Sequence, residues 1–356
     1  MAPRTGGQLL VDALKVHGVD TVFCVPGESY LAALDAFHDH RDMRLIVCRQ
    51  EGGAANMAEA YGKLTGRPGV CFVTRGPGAT NASVGVHTGK QDSTPMILFI
   101  GQVGTDAIDR EAFQEIDFRR MYGQMSKWVA SIDRADRVPE YVSRAFHTAV
   151  AGRPGPVVLA LPDDMLTAKA AVSDTGPYQR IAAHPGSGDM RRLHAMLAEA
   201  RRPLVLLGGT GWSRESCEDL KAFIAANNLP AAAVFRRQDL LDNRDPHYVG
   251  DVAVGMNPAL ERRVRDADLL IVIGARLGEW TTNGYTLVQV PCPTQQLVHV
   301  HAGAEELGSI YQAQLPINSG MPEFAAAARA LEPVDRTWDA WTQSARADLE
   351  AWQQPV

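Results

Sequence analysis

Long apolar runs are missing from this sequence. The longest stretches, such as Pro95 to Ile100 and Leu269 to Ile273, fall far short of the roughly 18 residues that span a bilayer, so no membrane span is expected. A basic excess is missing too. Lys and Arg number 35 against 41 Asp and Glu, a formal charge of −6, and nucleic acid is not expected as a partner. No cleavable leader is recognisable, because Asp12 and Lys15 interrupt the first apolar segment and no small-residue cleavage pattern follows it. A cytoplasmic location is the expectation. There is no Cys-x-x-Cys, and the five cysteines (Cys24, Cys48, Cys71, Cys217 and Cys292) are an odd number. Three of them lie in apolar, strand-like runs, and they are read as reduced core residues. Short-period repeats and low-complexity tracts are absent as well. The 356 residues therefore suggest two globular domains plus a remainder.

What is present is an alternation of helical periodicity with short apolar runs from Gly6 to Asp163. Leu9, Leu10, Ala13 and Leu14 form a helical stripe closed by Gly18, and Thr21 to Val25 then reads as a buried strand. Further strands are predicted at Leu45 to Cys48, Gly69 to Thr74, Met96 to Ile100 and Pro156 to Leu161. Helices are predicted at Tyr30 to His38, Gly53 to Leu64, Thr80 to Gly89 and Val138 to Ala151. Strands this apolar, each followed by a helix, belong in a parallel sheet covered on both faces.

Between Ala168 and Asp189 the composition shifts to Ser, Thr, Gly, Pro and Ala with no apolar period, as in an interdomain linker. A second α/β unit comes next. Its strands are predicted at Pro203 to Leu207, Ala231 to Phe235, Leu269 to Ile273 and Leu297 to Val300, and its helices near Arg191 to Arg201, Glu215 to Asn227 and Met321 to Leu331. One more amphipathic stretch, Trp338 to Trp352, comes after Pro333. The expected division is a first domain at 1–168, a linker at 169–189, a second domain at 190–335 and a tail at 336–356. Both domains are expected to be doubly wound parallel-sheet α/β domains.

Glu51 lies directly after the strand Leu45 to Cys48 and just before a helix. A carboxylate at the carboxyl end of a parallel strand points into the crevice where α/β sheets bind ligands, and the small residues Gly52, Gly53, Ala54 and Ala55 would let a flat ring approach. Taken alone, Glu51 reads more readily as a helix-start acid stabilised by the helix dipole than as a ligand-facing group, and context has to decide. Two other strand-end turns give context: Val25-Pro26-Gly27-Glu28, and Arg75-Gly76-Pro77-Gly78-Ala79-Thr80-Asn81. Gly and Pro make tight strand-to-helix turns there, and Thr80 or Asn81 can cap the next helix.

In this order and spacing the turns resemble the pyrimidine-binding domain of thiamine diphosphate enzymes of the acetolactate synthase and 2-oxoacid decarboxylase superfamily. The sharpest part of the resemblance runs from Arg49 through Asn56 to Asp92-Ser93-Thr94-Pro95, and continues into Ala112-Phe113-Gln114-Glu115 and Gly152-Arg153-Pro154-Gly155-Pro156-Val157. It implies that Glu51 is the cofactor-activating glutamate, hydrogen-bonded to ring nitrogen N1′ and promoting the imino tautomer that takes the C2 proton. It implies further that Pro26 and Gly27 contact the pyrimidine from the opposite side. Gly76 and Asn81 are carried as cofactor-binding residues. Phe113 and Gln114 match a family pair near the reacting end of the cofactor; Phe113 is carried as a binding residue and Gln114 as a catalytic one. A loop Phe in the core and a solvated Gln remain the alternative for that pair. Lys127-Trp128 matches the start of a strand, and His87 reads as a surface or packing histidine.

The departures lie near the expected substrate pocket. Gln50 precedes Glu51 where synthases usually carry His, Pro26-Gly27-Glu28 replaces Pro-Gly-Gly, and Asp163 stands where they usually carry lysine. The second unit resembles the family's Rossmann-like central domain, which holds FAD in acetolactate synthases and nothing in many relatives. Leu206-Leu207-Gly208-Gly209-Thr210-Gly211 could present backbone N–H groups to a phosphate, but Ile273-Gly274-Ala275-Arg276-Leu277-Gly278 lacks the Arg-Phe-Asp-Asp-Arg run of FAD-binding synthases. Structural turns are favoured over FAD. The family's Gly-Asp-Gly motif, followed about 25 to 30 residues later by Asn and holding Mg²⁺ on the diphosphate, is not found, and Gly250-Asp251-Val252 is only a near miss. No metal ligands are expected here; the Mg²⁺ ligands belong to an absent diphosphate-binding domain.

The resulting expectation is a carboligase or decarboxylase of 2-oxo acids that contributes the pyrimidine half of a site, inactive as this chain alone and assembled as a homodimer or homotetramer. A separate diphosphate-binding domain would complete it. The competing readings are a non-catalytic binding or assembly module of the same fold, and a flavin or nicotinamide oxidoreductase using the glycine turns of the second unit.

Overall fold

A computed structural model describes residues 2–355 of the chain. It contains two compact units, Met1–Ile181 and Ala182–Val356. In the first, β1 (Arg4–Thr5) leads into α1 (Gly6–Val16), then β2 (Thr21–Cys24), α2 (Leu31–Asp39), β3 (Arg44–Val47) and α3 (Glu51–Thr65). The alternation continues through β4 (Gly69–Val73), α4 (Pro77–Asp92), β5 (Met96–Gln102), α5 (Phe118–Tyr122), β6 (Trp128–Ser131) and α6 (Val138–Val150). It ends with β7 (Pro156–Pro162), α7 (Asp163–Thr167) and β8 (Lys169–Ala170). The main sheet has six parallel strands in the order β3-β2-β4-β5-β7-β6, while β1 and β8 form a small antiparallel pair.

Local sequence explains the elements. Thr5 and Gln8 close a capping box at the start of α1, and Gly66 ends α3 with a left-handed C-cap at φ 70°. The central strands β4, β5 and β7 are buried along their whole length, which is why they are apolar without alternation. Phe72 and Phe99 stack across them at 4.6 Å between ring centroids. Helices α3 and α4 pack through small residues. A Cβ on Gly85 would come 2.5 Å from that of Ala55, so only glycine permits this approach.

The segment after β7 is not all free linker. Lys169–Ala170 pairs with β1, Arg4 bonds Val172 and Asp174, and Tyr178 packs on Phe146 at 5.2 Å.

The second unit contains α8 (Ser187–Glu199), β9 (Pro203–Leu207), α9 (Arg214–Ala226), β10 (Ala231–Val234), β11 (Tyr248–Val252) and α10 (Pro258–Asp266). After these come β12 (Leu269–Ile273), β13 (Gln296–His301), β14 (Leu315–Asn318), α11 (Met321–Arg329) and α12 (Asp339–Trp352). Its six parallel strands run β11-β10-β9-β12-β13-β14. Trp338, Ala345 and Leu349 lie in the cores of this unit. Both units are thus doubly wound α/β domains.

The cysteine reading needs one correction. All five are free, and Cys24 and Cys71 are buried, but Cys292 is exposed and Cys48 and Cys217 are partly exposed. Cys292 falls outside the regular elements, in the segment between β12 and β13, where no sheet covers it. Among the described residues no helix is long and apolar enough to cross a membrane.

Candidate active site

In the first unit the chain steps outward from β2 to β3, then crosses to β4 on the other side of β2. The carboxyl ends of β2 and β4 therefore frame a topological switch point, where open α/β sheets bind ligands. Three segments converge on it: the turn after β2, the turn after β4, and α3, which begins at Glu51.

Glu51 is half-buried at the first position of α3, where the helix dipole favours its charge. Gln50 caps the helix by accepting the Gly53 N–H at 2.9 Å, leaving the Glu51 side chain to other partners. Asn81 on α4 donates its Nδ2–H to Glu51 Oε2 at 3.0 Å. The other carboxylate oxygen faces Gly78, where a Cβ would stand 3.5 Å from Oε1 and 2.8 Å from Thr74 Cγ2. On the opposite turn a Cβ at Gly27 would come 2.5 Å from Thr74 Cβ. Both glycines thus lie against the Thr74 side chain with no room for a Cβ, and Pro26 stands exposed next to Gly27.

The turns are cross-braced. Ser29 Oγ pairs with Thr74 Oγ1 at 2.8 Å and accepts the Arg75 amide N–H at 3.2 Å. Tyr30 donates its hydroxyl to the Val25 carbonyl at 2.6 Å. Burial, with a smaller contribution from Cys24, pushes its phenol well up, so it remains a neutral donor.

A fourth segment, residues 103–117 after β5, reaches the same turns. Its backbone is unusual: Asp109, Glu111 and Gln114 have φ of 61°, 54° and 64°, a region that non-glycine residues seldom occupy. The Glu115 carboxylate holds the loop together by accepting the Asp109 N–H at 2.8 Å and the Ala112 N–H at 3.2 Å. Gln114 lies against Gly76, where a Cβ would come 2.7 Å from Gln114 Cβ. Gly76 itself has φ 58° and ψ −112°, so glycine is required there twice over. Phe113 is 73% exposed, and its carbonyl accepts from Arg75 Nε at 3.1 Å.

The structure thus brings Glu51 to Asn81, Gly27 to Thr74, and Gly76 to Gln114, with residues 74–78 common to all three groups. The loop Phe is not in the core. His87 is exposed on α4. Trp128 opens β6. Asp163 begins α7, and its neighbour Asp164 accepts the Thr105 amide at 3.1 Å and the Thr105 hydroxyl at 2.5 Å. Burial works against the charge of Asp164, but these bonds outweigh it and hold the carboxyl below its usual range. Ser29, Thr74, Arg75 and Glu115 carry no motif of their own. Only Glu115 and Arg75 sit inside the motif segments, and nothing in those segments states their contacts.

In the second unit the corresponding switch point lies between β9 and β12. A Cβ on Gly208 would come 3.1 Å from Ala275 Cα, and Gly209 and Gly274 abut through their backbones. Gly250-Asp251-Val252 lies within β11. Among the described residues no group of three His, Cys, Asp or Glu is arranged to hold a metal.

Comparison with known proteins places both units. The N-terminal TPP binding domain of thiamine pyrophosphate enzymes matches residues 4–121, and the central domain of the same enzymes matches residues 190–328. The chain is similar to acetolactate synthase isozyme 2 large subunit of Escherichia coli, with 30% identity over 89% of this chain and 57% of that protein. It is similar to acetolactate synthase large subunit of Corynebacterium glutamicum, with 32% identity over 90% and 52%. With acetolactate synthase large subunit of Haemophilus influenzae it shares 29% identity over 100% and 62%. The chain therefore spans between about half and three-fifths of the length of these relatives.

Proposed function

The chain belongs to the thiamine pyrophosphate enzyme family, and from that premise we propose that its first unit supplies the pyrimidine half of a site that decarboxylates or ligates 2-oxo acids. The residues present suit the cofactor. Asn81 holds one Glu51 carboxylate oxygen, and the other faces Gly78, where the lack of a Cβ keeps side-chain carbon off it. Bound there, thiamine diphosphate supplies an acidic C2–H whose conjugate base attacks 2-oxo acids.

The chain's own residues do the rest. Glu51 hydrogen-bonds ring nitrogen N1′ and shares a proton with it, which a carboxyl group in a partly dry crevice can do. Asn81 fixes the carboxylate in one orientation, so that no rotamer search precedes proton transfer. Pro26 and Gly27 form the opposite wall, and Gly76 lets the Phe113-Gln114 peptide approach. Among the described residues the Gln114 side-chain amide takes no hydrogen bond, which leaves it available to a 2-oxo acid. The pairing of Glu51 with Asn81 at the switch point carries this reading.

A homodimer or homotetramer assembled through α3 and α4 is supported by Met57 and Val84, exposed apolar residues on these helices. A separate diphosphate-binding domain would bring the Mg²⁺ ligands. The glycine turns of the second unit are read as structural rather than FAD-binding, because they are occupied by each other.

The test is Glu51→Gln in the holoenzyme containing this chain. Gln retains a hydrogen bond to N1′ but cannot exchange a proton with it. Cofactor binding should survive while C2–H exchange, followed by NMR, slows roughly 10²- to 10⁴-fold. Parental exchange in the variant would refute the assignment, and retained cofactor binding with no turnover of any 2-oxo acid by the parent holoenzyme would favour a non-catalytic module.

A further inference from the structure

Arg75 has no part in the cofactor chemistry above, yet it bonds two of the other segments that converge on the site. Its side chain is only 13% exposed. Its amide N–H donates to Ser29 Oγ at 3.2 Å, its Nε–H to the Phe113 carbonyl at 3.1 Å, and its Nη2 approaches Glu28 Oε1 at 3.5 Å. One residue therefore ties the turn after β2 and the loop after β5 to its own turn after β4.

The bond to Phe113 matters most because Gln114 is the next residue in the chain. Gln114 sits in the left-handed region, and the peptide joining it to Phe113 is pinned on one side by Arg75 and stopped on the other by Gly76. The ends of the loop are tied elsewhere, Thr105 to Asp164 and the Ile116 carbonyl to Gln102 Nε2 at 3.0 Å, and in its middle Glu115 holds only amides within the loop, Asp109 and Ala112. Glu115 keeps the shape of that middle part, and Arg75 is what ties the Phe113 carbonyl within it to the turn after β4. Glu28 is 68% exposed, so its pairing with Arg75 is screened by solvent and orients the guanidinium only weakly.

We propose that Arg75 is the positioning residue of the site, holding the Phe113-Gln114 peptide against Gly76 so that the Gln114 amide is presented to the 2-oxo acid. This rests on the reading of Gln114 given above. Lysine cannot replace it fully, because a single ammonium on a flexible stem lacks the planar fork that serves the Phe113 carbonyl and Glu28 together.

Backbone amide exchange on the full chain tests the fastening without any cofactor. Arg75→Ala removes a charged donor and should accelerate exchange at Asp109, Ala112 and Glu115 roughly 10- to 100-fold, with α3 unchanged. Arg75→Lys should fall between Ala and the parent, and it keeps the test open if the alanine variant folds poorly. Glu28→Gln should leave these amides within about twofold of the parent, given the weakness of exposed pairs. Parental exchange in both Arg75 variants, or equal acceleration by Glu28→Gln, would overturn the proposal. In the holoenzyme, Arg75→Ala should lower kcat about tenfold or more with cofactor affinity intact, and the double variant with Gln114→Ala should lose no more than Gln114→Ala alone. Fully additive losses would also overturn it, since Arg75 would then act independently of Gln114. Loss of the cofactor reading itself would show separately, as parental C2–H exchange in Glu51→Gln.

Discussion

Acid should loosen the first unit through His17, and the size of the effect can be worked from the structure. His17 caps the C-terminus of α1 and is only 5% exposed. Its Nδ1 accepts the Tyr178 amide N–H at 3.0 Å, which assigns the neutral ring's proton to Nε2. That nitrogen is buried with no hydrogen-bond partner among the described residues. The ring stacks on Phe146 at 4.7 Å. Protonation would put a charge into this apolar packing and remove the acceptor of the Tyr178 amide. Burial, reinforced by nearby His147, accordingly pulls the His17 pKa from 6.5 down to about 4. Because the folded value lies below the unfolded one, the unfolded chain binds more protons between these values. The stability His17 confers is fully present above pH 6.5 and is lost as pH falls toward 4. At about 1.4 kcal/mol per pH unit, the loss approaches about 3 kcal/mol. Urea unfolding of the parent and of His17→Gln, which keeps an acceptor for Tyr178 but cannot titrate, should give curves whose difference grows over this window. Carboxylates titrate in both proteins and cancel. If the two proteins lose stability in parallel from pH 6.5 to 4, or if NMR shows His17 titrating near 6.5, burial of a neutral His17 is refuted as the source of acid sensitivity.

Two further outcomes are expected alongside the Glu51 and Arg75 results. Trp338→Ala should destabilise the second unit by about 4 kcal/mol, because it empties a fully buried site and removes the bond from Nε1 to the Asn227 carbonyl at 3.0 Å; amide exchange in β9 and β12 reports it, and a change below about 1 kcal/mol would contradict the core placement. Gly76→Ala, at φ 58° and ψ −112°, should cost about 2 kcal/mol in backbone strain and, by displacing Gln114, should open residues 103–117 to limited proteolysis; a parental digestion pattern would count against the contact.

Much of the fold was legible because burial and apolarity coincide in a doubly wound sheet. Strands β4, β5, β7, β9 and β12 are buried on both faces, so each reads as an unbroken apolar run between glycine-rich turns. What escaped lies where that coincidence breaks down. Edge strands β11 and β14 carry Gly250-Asp251 and Leu-Pro-Ile-Asn, a glycine at φ 115° and an alternating pattern with one face open. Helix α10 buries only Leu260 and Val264 among charged neighbours, too little to show a periodicity. Trp338, by contrast, heads the amphipathic stretch expected as a tail and lies in the core of the second unit; amphipathicity announces a buried face but not the core it joins.

The site divides along a different line. The turns that carry Pro26, Gly27, Glu51 and Gly76 were legible because strand-end turns need particular residues at particular offsets, a local constraint that sequence displays, whereas Phe113 and Gln114 came forward only through the family resemblance. The contacts that organise them are not local. Asn81 reaches back 30 positions to Glu51, Arg75 reaches forward 38 to Phe113, and its amide bonds a serine 46 positions earlier. Such pairs leave no periodicity and no spacing rule, since the intervening strand and helix set their separation. They are nevertheless what converts flexible turns into a fixed arrangement, because each turn taken alone has only the torsional preferences of Gly and Pro to hold it. A carboxylate whose proton must be shared with a ring nitrogen gains most when its orientation is settled beforehand. On the proposed reading of Glu51, the cross-turn bonds among Glu51, Asn81, Ser29, Thr74, Arg75 and the Phe113 carbonyl are therefore the part of the site that local sequence traces least.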